Sequence, residues 1–359
     1  MKYRSQSQFT HKQADKIGVV VTNLGTPEAP TKQALKPYLR EFLSDPRVVE
    51  VPRLIWWFVL NGIILNIRPK RSAQAYATVW SDQGSPLMVH TRNQAEALAQ
   101  KCRETYGEDV IVDFAMRYGQ PSVGNVIEKM QQQGVRKLLV LPLYPQYCAS
   151  TTGSTFDAIG QYFQHTRWLP DFRFVTHYHD NPNFIEIVAD KIKAHWQEHG
   201  QAEKLLFSYH GIPKRYLLNG DPYHCECHKT SRLLAAALGL DESQYMTTFQ
   251  SRFGREEWLK PYTDHTLKAL PGQGVKSVQV VCPGFSSDCL ETIGEIGEEN
   301  REYFIESGGE RYEYIEAMNS DPAHIEMLFD LIKNNLSGWS VGDDYQQREQ
   351  LAKSIGAEK

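Results

Sequence analysis

Short aliphatic runs, each closed by turn residues, recur along this chain with helix-forming stretches between them, the pattern of a parallel sheet covered on both faces. Strands are predicted at 17–22, 110–115, 137–141, 172–175, 205–209, 245–249, 275–281 and 312–315. Helices are predicted over 31–43, 122–132, 183–198, 229–238, 257–270, 288–306 and 323–335. A chain of 359 residues has room for about two such units. An internal echo supports two: KIGVVVTNLGTPE and KLLFSYHGIPKR each read Lys, an aliphatic run, polar or aromatic residues, then Gly-x-Pro. Gly gives an open backbone at such a turn and Pro a preset φ. The spacing of the echo puts the divide between two α/β halves near residue 165, and the segment after Leu336 is polar and expected to be loosely held.

Composition narrows the class. Basic side chains number 39 against 43 acidic ones, a net charge of −4, so no positive field recruits a phosphate backbone and nucleic acid is not an expected partner. Six cysteines at 102, 148, 225, 227, 282 and 289 lie scattered, which suits a reducing cytoplasm better than a disulfide framework. The lead-in MKYRSQSQFTHKQADK lacks the apolar core of a secretory signal. The most apolar stretch, 54–67 (LIWWFVLNGIILNI), is 14 residues long, short of the roughly 18 that cross a bilayer. A cytoplasmic location is expected.

In open parallel sheets, ligands bind beyond the carboxyl ends of the strands, and four predicted strand ends carry unusual sequence: 23–27, 142–153, 210–213 and 282–291. No Gly-x-Gly-x-x-Gly follows the first strand and no Gly-x-x-x-x-Gly-Lys occurs, so neither dinucleotide nor P-loop chemistry is expected. His210 closes a strand at a Gly-Pro turn, where an imidazole serves as a base or metal ligand, or simply bonds a turn carbonyl. In SDCLETIGEIGEEN, Asp288, Glu291, Glu295, Glu298 and Glu299 recur along one helical stripe. The stripe is either a solvated acidic face, with Asp288 at the helix N-terminus, or a row of oxygen ligands passing a divalent cation inward to a buried carboxylate such as Glu291.

Two further segments stand out. His224-Cys225-Glu226-Cys227-His228 is rich in ligand types, but Cys-x-Cys is tighter than common zinc spacings, so a surface loop is expected and metal or cluster binding is the alternative. The stretch 54–67, with Arg68, Lys70 and Arg71 behind it, is either a core helix or an apolar lip suited to a flat hydrophobic ligand bearing carboxylates or to a membrane surface. Adjacent Trp56 and Trp57 cannot face the same way on a helix, so one is expected to be exposed.

The motifs NLGTPE (23–28), Ser85-Pro86, MRYGQPS (116–122), LPLYPQY (141–147), FSYHGIP (207–213), GDPY (220–223), QSRFG (250–254), CPGFSSDCLETIGEI (282–296) and EAMN (316–319) together resemble the ferrochelatases over nearly the whole length. The resemblance implies an α/β fold of two similar Rossmann-like domains, each a parallel sheet flanked by helices, at 1–165 and 166–320. A C-terminal helix, 321–336, would return to the first domain, ahead of a polar tail at 337–359. It implies insertion of Fe²⁺ into protoporphyrin IX to give protohaem with release of two protons, the last step of haem synthesis, in a distorted ring and without an organic cofactor. Iron and porphyrin are then the partners, with peripheral contact at the cytoplasmic face of the membrane as an extension.

By the same resemblance, His210 and Glu291 face each other at the catalytic and metal site. Glu295 and Glu299 line the acidic path, on a helix distorted toward a wider turn. Leu24, Tyr76, Arg117, Tyr118 and Trp258 hold the porphyrin, with Arg68 and Arg71 toward its propionates. Apolar Leu24 and the Trp56-Trp57-Phe58 lip favour protoporphyrin over a more carboxylated ring. Departures exist: Cys289 stands where many relatives carry histidine, and no cysteine follows it to form the C-terminal [2Fe–2S] cluster of animal relatives, leaving Cys225 and Cys227 as the remaining cluster candidates. A cobalt or nickel chelatase, or a porphyrin carrier that inserts no metal, are the alternative functions.

Overall fold

The computed structural model describes residues 3–6, 9–254, 256–340 and 345–357. Its strands are β1 (Lys16–Gly25), β2 (Val110–Tyr118), β3 (Val135–Pro142), β4 (Asp171–Phe174), β5 (Lys204–His210), β6 (Tyr245–Gln250), β7 (Ser277–Val281) and β8 (Arg311–Ile315). All pair in parallel, in two four-stranded sheets ordered β2-β1-β3-β4 and β6-β5-β7-β8. β1 and β5, the two segments that echo in sequence, therefore hold the same place in their sheets. Each is flanked on both sides and covered on both faces, which is why Val19, Val20 and Val21 of β1 and Leu206 and Phe207 of β5 are fully buried. In each sheet the chain steps to one side of its first strand and then to the other. The resulting crevice lies beyond the carboxyl ends of β1/β3 and of β5/β7.

The two halves share a buried joint. Gln94, on the helix Pro86–Tyr106, donates from Nε2 to the carbonyls of Ser286 (3.0 Å) and Asn319 (2.8 Å) and accepts from Ser287 Oγ (3.1 Å). Ser286 Oγ donates to the Leu143 carbonyl at 3.0 Å. A single apolar cluster runs through this joint, taking in Val19 and Leu141 of the first half with Phe207 and Val281 of the second. The helix Pro322–Leu336 packs against both Pro86–Tyr106 and Pro182–His199.

Several sequence expectations need correction. A divide at 165 allots β4 to the second half, whereas β4 hydrogen-bonds to β3 and completes the first sheet. The expected helix 257–270 begins only at Thr263 (Thr263–Ala269), because 257–259 is tied to the strand-end turn: Lys214 N–H donates to the Glu257 carbonyl and Leu259 N–H to that of Ile212. The tail is not merely loose: Tyr345–Ser354 is helical and Arg348 pairs with Asp15 at 3.1 Å, although 341–344 and 358–359 lie outside the described residues. His224–His228 is not a surface loop but the opening of the helix Tyr223–Leu238. Among the described residues no helix is long and apolar enough to cross a membrane.

Candidate active site

Both crevices open into one cavity of about 590 Å³. Asn23, Leu24 and Gly25 reach it from the end of β1, and Leu143, Tyr144 and Gln146 from the segment after β3. His210 enters from β5, and Phe285 to Ser287 from the segment after β7. Gly25 can only be glycine: its φ is +112°, and a Cβ there would sit 1.8 Å from the Tyr118 carbonyl oxygen.

The acidic wall is a π-helix over Glu291–Glu299 that continues as an α-helix at Asn300–Glu306. The i→i+5 winding is the wider turn implied by the family resemblance. Glu291, Glu295, Glu298 and Glu299 line the cavity. Asp288 is removed from that row: its Oδ1 accepts from Thr292 (2.8 Å) and Tyr314 (2.6 Å), and its Oδ2 from Asn319 (2.7 Å), so it is an internal anchor of the helix start.

Glu295 is the most perturbed carboxyl of the row. Burial raises it to about 7, against opposing hydrogen bonds from Ser251, whose backbone N–H donates at 2.8 Å and whose hydroxyl also donates, while the nearby Glu291 and Glu299 charges raise it further. Ser251 itself is held at φ +65°, a left-handed conformation that serine rarely adopts. That backbone geometry points both of its donors at one carboxylate. Its neighbour Gln250 donates to the Glu291 carbonyl at 3.3 Å, and Ser208 Oγ donates to Gln250 Oε1 at 2.7 Å, so the ends of β5 and β6 hold the acidic helix in register.

His210 donates from Nδ1 to the Gly211 carbonyl at 2.7 Å, which leaves Nε2 as the nitrogen free for chemistry. Trp258, buried, stands behind this turn: a Cβ on Gly211 would lie 3.1 Å from its ring. Burial pushes the thiol of Cys289, which also lines the cavity, up, and the nearby Glu291 charge raises it further, so it stays a neutral thiol.

The opposite wall is aromatic and apolar: Leu24, Tyr38, Phe42, Tyr76 and Leu143. Tyr38 donates to the Gly25 carbonyl at 3.1 Å, and burial keeps both Tyr38 and Tyr76 un-ionised. Arg68 lines the mouth, with its guanidinium 5.7 Å from the Phe253 ring centre. The stretch 54–67 is neither wholly core nor wholly lip. Trp56 is 8% exposed and donates from Nε1 to the Leu43 carbonyl at 2.6 Å, while Trp57 is 58% exposed beside exposed Leu54, Ile55, Phe58, Ile63 and Ile67.

Four of the residues expected to hold the porphyrin do not line the cavity. Arg71 lies exposed on the helix Leu65–Val79, and Trp258 is the support just described. Arg117 and Tyr118 meet beneath the floor on one buried carboxylate: Asp45 Oδ2 lies 2.6 Å from Arg117, 2.8 Å from the Tyr118 hydroxyl and 2.5 Å from Ser154 Oγ. Tyr118 packs edge-on against Phe42 at 5.0 Å, and Phe42 does line the cavity. Cys225 and Cys227 do not come together as ligands. Two positions along a helix are about 200° apart; Cys225 is exposed, and Cys227 is fully buried with its thiol pushed up by that burial. Sequence reasoning missed the roles of Ser251, Gln250, Tyr38 and Asp45. The first two sit inside the QSRFG motif, whereas Tyr38 and Asp45 carry no motif signal.

A sequence model described as Ferrochelatase matches residues 16–336 of this chain. A protein from Idiomarina loihiensis named "Ferrochelatase" is 69% identical over 99% of this chain and 98% of its own length. One of the same name from Pseudoalteromonas atlantica is 66% identical over the full length of both. A solved structure, "SirB from Bacillus subtilis with Fe3+", aligns with a TM-score of 0.52 at 10% identity, over 90% of this chain and 96% of that one, a likeness of fold alone.

Proposed function

The chain belongs to the ferrochelatase family, and on that premise we propose that its cavity holds protoporphyrin IX between the Leu24/Tyr38/Tyr76 wall and the acidic helix while Fe²⁺, as substrate, enters along Glu299 and Glu295. The observation that carries the reading is the meeting of His210 with Glu291 and Glu295 in one apolar-walled cavity. A free porphyrin keeps its two N–H groups in the ring plane. The metal reaches the nitrogens only when the ring is bent so that lone pairs project to one face, and wall contacts that fit the bent ring better than the flat one supply that bending. His210 Nε2 and the carboxylates offer sites for the two pyrrole protons that iron displaces. Glu295, near 7, is suited both to lose a proton to an arriving cation and to take one up. Arg68 at the mouth would meet a propionate.

The test is anaerobic turnover of Fe²⁺ and protoporphyrin IX, followed through the porphyrin absorption bands. His210→Ala and Glu291→Gln should still bind porphyrin but insert iron on the order of 10²–10⁴ times more slowly. Binding without insertion by the parent chain would mean a carrier, and faster insertion of Co²⁺ or Ni²⁺ into another tetrapyrrole would mean a different chelatase. Leu24 supports protoporphyrin as the ring, so turnover of coproporphyrin III equal to or better than that of protoporphyrin would refute that choice. Exposed Trp57 and Phe58 beside Ile63 and Ile67 support contact with the membrane surface from the cytoplasmic side.

A further inference from the structure

Three ligand-bearing side chains that this reaction leaves unused come together where the segment after β4 meets the helix Tyr223–Leu238: His177, His179 and Glu226. His177 Nδ1 lies 2.8 Å from Glu226 Oε1, and His179 Nδ1 lies 3.3 Å from Glu226 Oε2. One ligand atom from each falls within 4.8 Å of the others. Donors held about 2.0–2.1 Å from a tetrahedral zinc ion are roughly 3.3 Å apart, so the three already stand near coordination spacing. Glu226 is 7% exposed and His179 5%, whereas His177 is half-exposed and leaves the cluster open on one side.

A second observation points to a ligand. His179 Nδ1 is buried and makes no hydrogen bond, although it faces the Glu226 carboxylate. Native folds seldom leave such an atom orphaned. Glu226 Oε2 is fixed by the Tyr147 N–H at 2.7 Å, and Thr230, one turn on, donates to the His179 carbonyl at 2.8 Å, so the geometry is held by its surroundings.

We propose that His177, His179 and Glu226 form a second metal site that takes a divalent first-row transition ion of the Zn²⁺ or Fe²⁺ type, separate from the centre between His210 and Glu291. Two imidazoles and a carboxylate are a ligand set such ions favour, with further positions open to water beside His177. An imidazole ligates through its unprotonated nitrogen, so an ion at His177 Nδ1 takes the place of the 2.8 Å contact with Glu226 Oε1 and the ring keeps its one proton on Nε2. The ion would tie the segment after β4 to the helix that carries Tyr223 and, through Glu226, to Tyr147, and so brace one wall of the cavity.

The experiment titrates metal-free, full-length His210→Ala/Glu291→Gln chain with Co²⁺, read by ligand-field absorption and by equilibrium dialysis. One equivalent should bind, and adding His177→Ala should weaken it by about 10–100-fold or more. Glu226→Gln on the same background should do the same. If that variant fails to fold, the half-exposed His177→Ala decides alone. No bound Co²⁺, or equal stoichiometry and affinity with and without His177→Ala, overturns the proposal.

Discussion

Replacing Glu295 with glutamine tests whether the acidic path is kept at a cost to the fold. Burial raises this carboxyl from the ordinary 4.5 to about 7 despite two donors from Ser251. A carboxyl whose folded pKa lies above its unfolded one contributes stability that is complete below about pH 4.5 and is lost as pH rises through about 7. At pH 8 the ionised side chain therefore weakens the fold, by about 3 kcal/mol from the size of the displacement and about 2–3 kcal/mol allowing for its partial access to solvent. Glutamine is neutral throughout and nearly isosteric. In urea unfolding at a series of pH values, Glu295→Gln should exceed the parent by that amount at pH 8, and the gap should close by about pH 4.5. Iron insertion should fall at least about tenfold in the same variant, since an oxygen ligand and a proton acceptor are lost together. A stability difference that does not change with pH, or a parent chain that is the more stable at pH 8, would refute the reasoning.

Gly25→Ala forces a Cβ to within 1.8 Å of the Tyr118 carbonyl at φ +112°, so thermal unfolding should show a loss of roughly 3 kcal/mol or more, and a melting point within about 2 °C of the parent would count against the close approach. Asp45→Asn leaves the largely buried Arg117 guanidinium without its charge partner and should cost about 3–5 kcal/mol in urea. Burial pushes the Asp45 pKa up, but hydrogen bonds from Ser154, the Arg47 N–H and Tyr118, together with the Arg117 charge, bring it below the ordinary 3.8. Its contribution is thus present above about pH 3.8 and lost as pH falls through the folded value, so the penalty of Asp45→Asn should shrink in acid. Trp57→Ser with Phe58→Ser should reduce co-sedimentation with anionic vesicles while the melting point stays put, because both side chains are exposed; unchanged co-sedimentation removes the membrane contact.

The sheets were the most legible part of the sequence. A strand buried on both faces must be aliphatic throughout, and β1 and β5 advertise themselves that way. The helix Pro86–Tyr106 escaped detection because Thr91, which accepts from Asn23 of β1, and Gln94, which bonds across the joint, put polar residues at fully buried positions and break the apolar stripe. β4 was assigned to the wrong half because a four-residue strand carries too little pattern to say which sheet it joins. In the site, His210 and the glutamates were legible because a strand-end turn and a helical stripe fix where side chains emerge. Arg117 and Tyr118 were not, since which way the last residues of β2 turn depends on Asp45, a residue far off in sequence. The left-handed backbone at Ser251 is likewise invisible in a motif of ordinary residues, although it is what aims two donors at Glu295.

The joint built on Gln94 has a mechanical consequence. Its three hydrogen bonds, two buried and one partly so, link backbone or side-chain atoms that belong to opposite halves, so the cleft is riveted at its root. Any change in the angle between the sheets must then open or shut the cleft at its rim, where the exposed helix carrying Trp57 and Phe58 stands. A flat ring entering such a jaw is gripped hardest near the rivet and least near the lip. The region that can yield to let product out is thereby set apart from the region that must not yield while the metal is being placed.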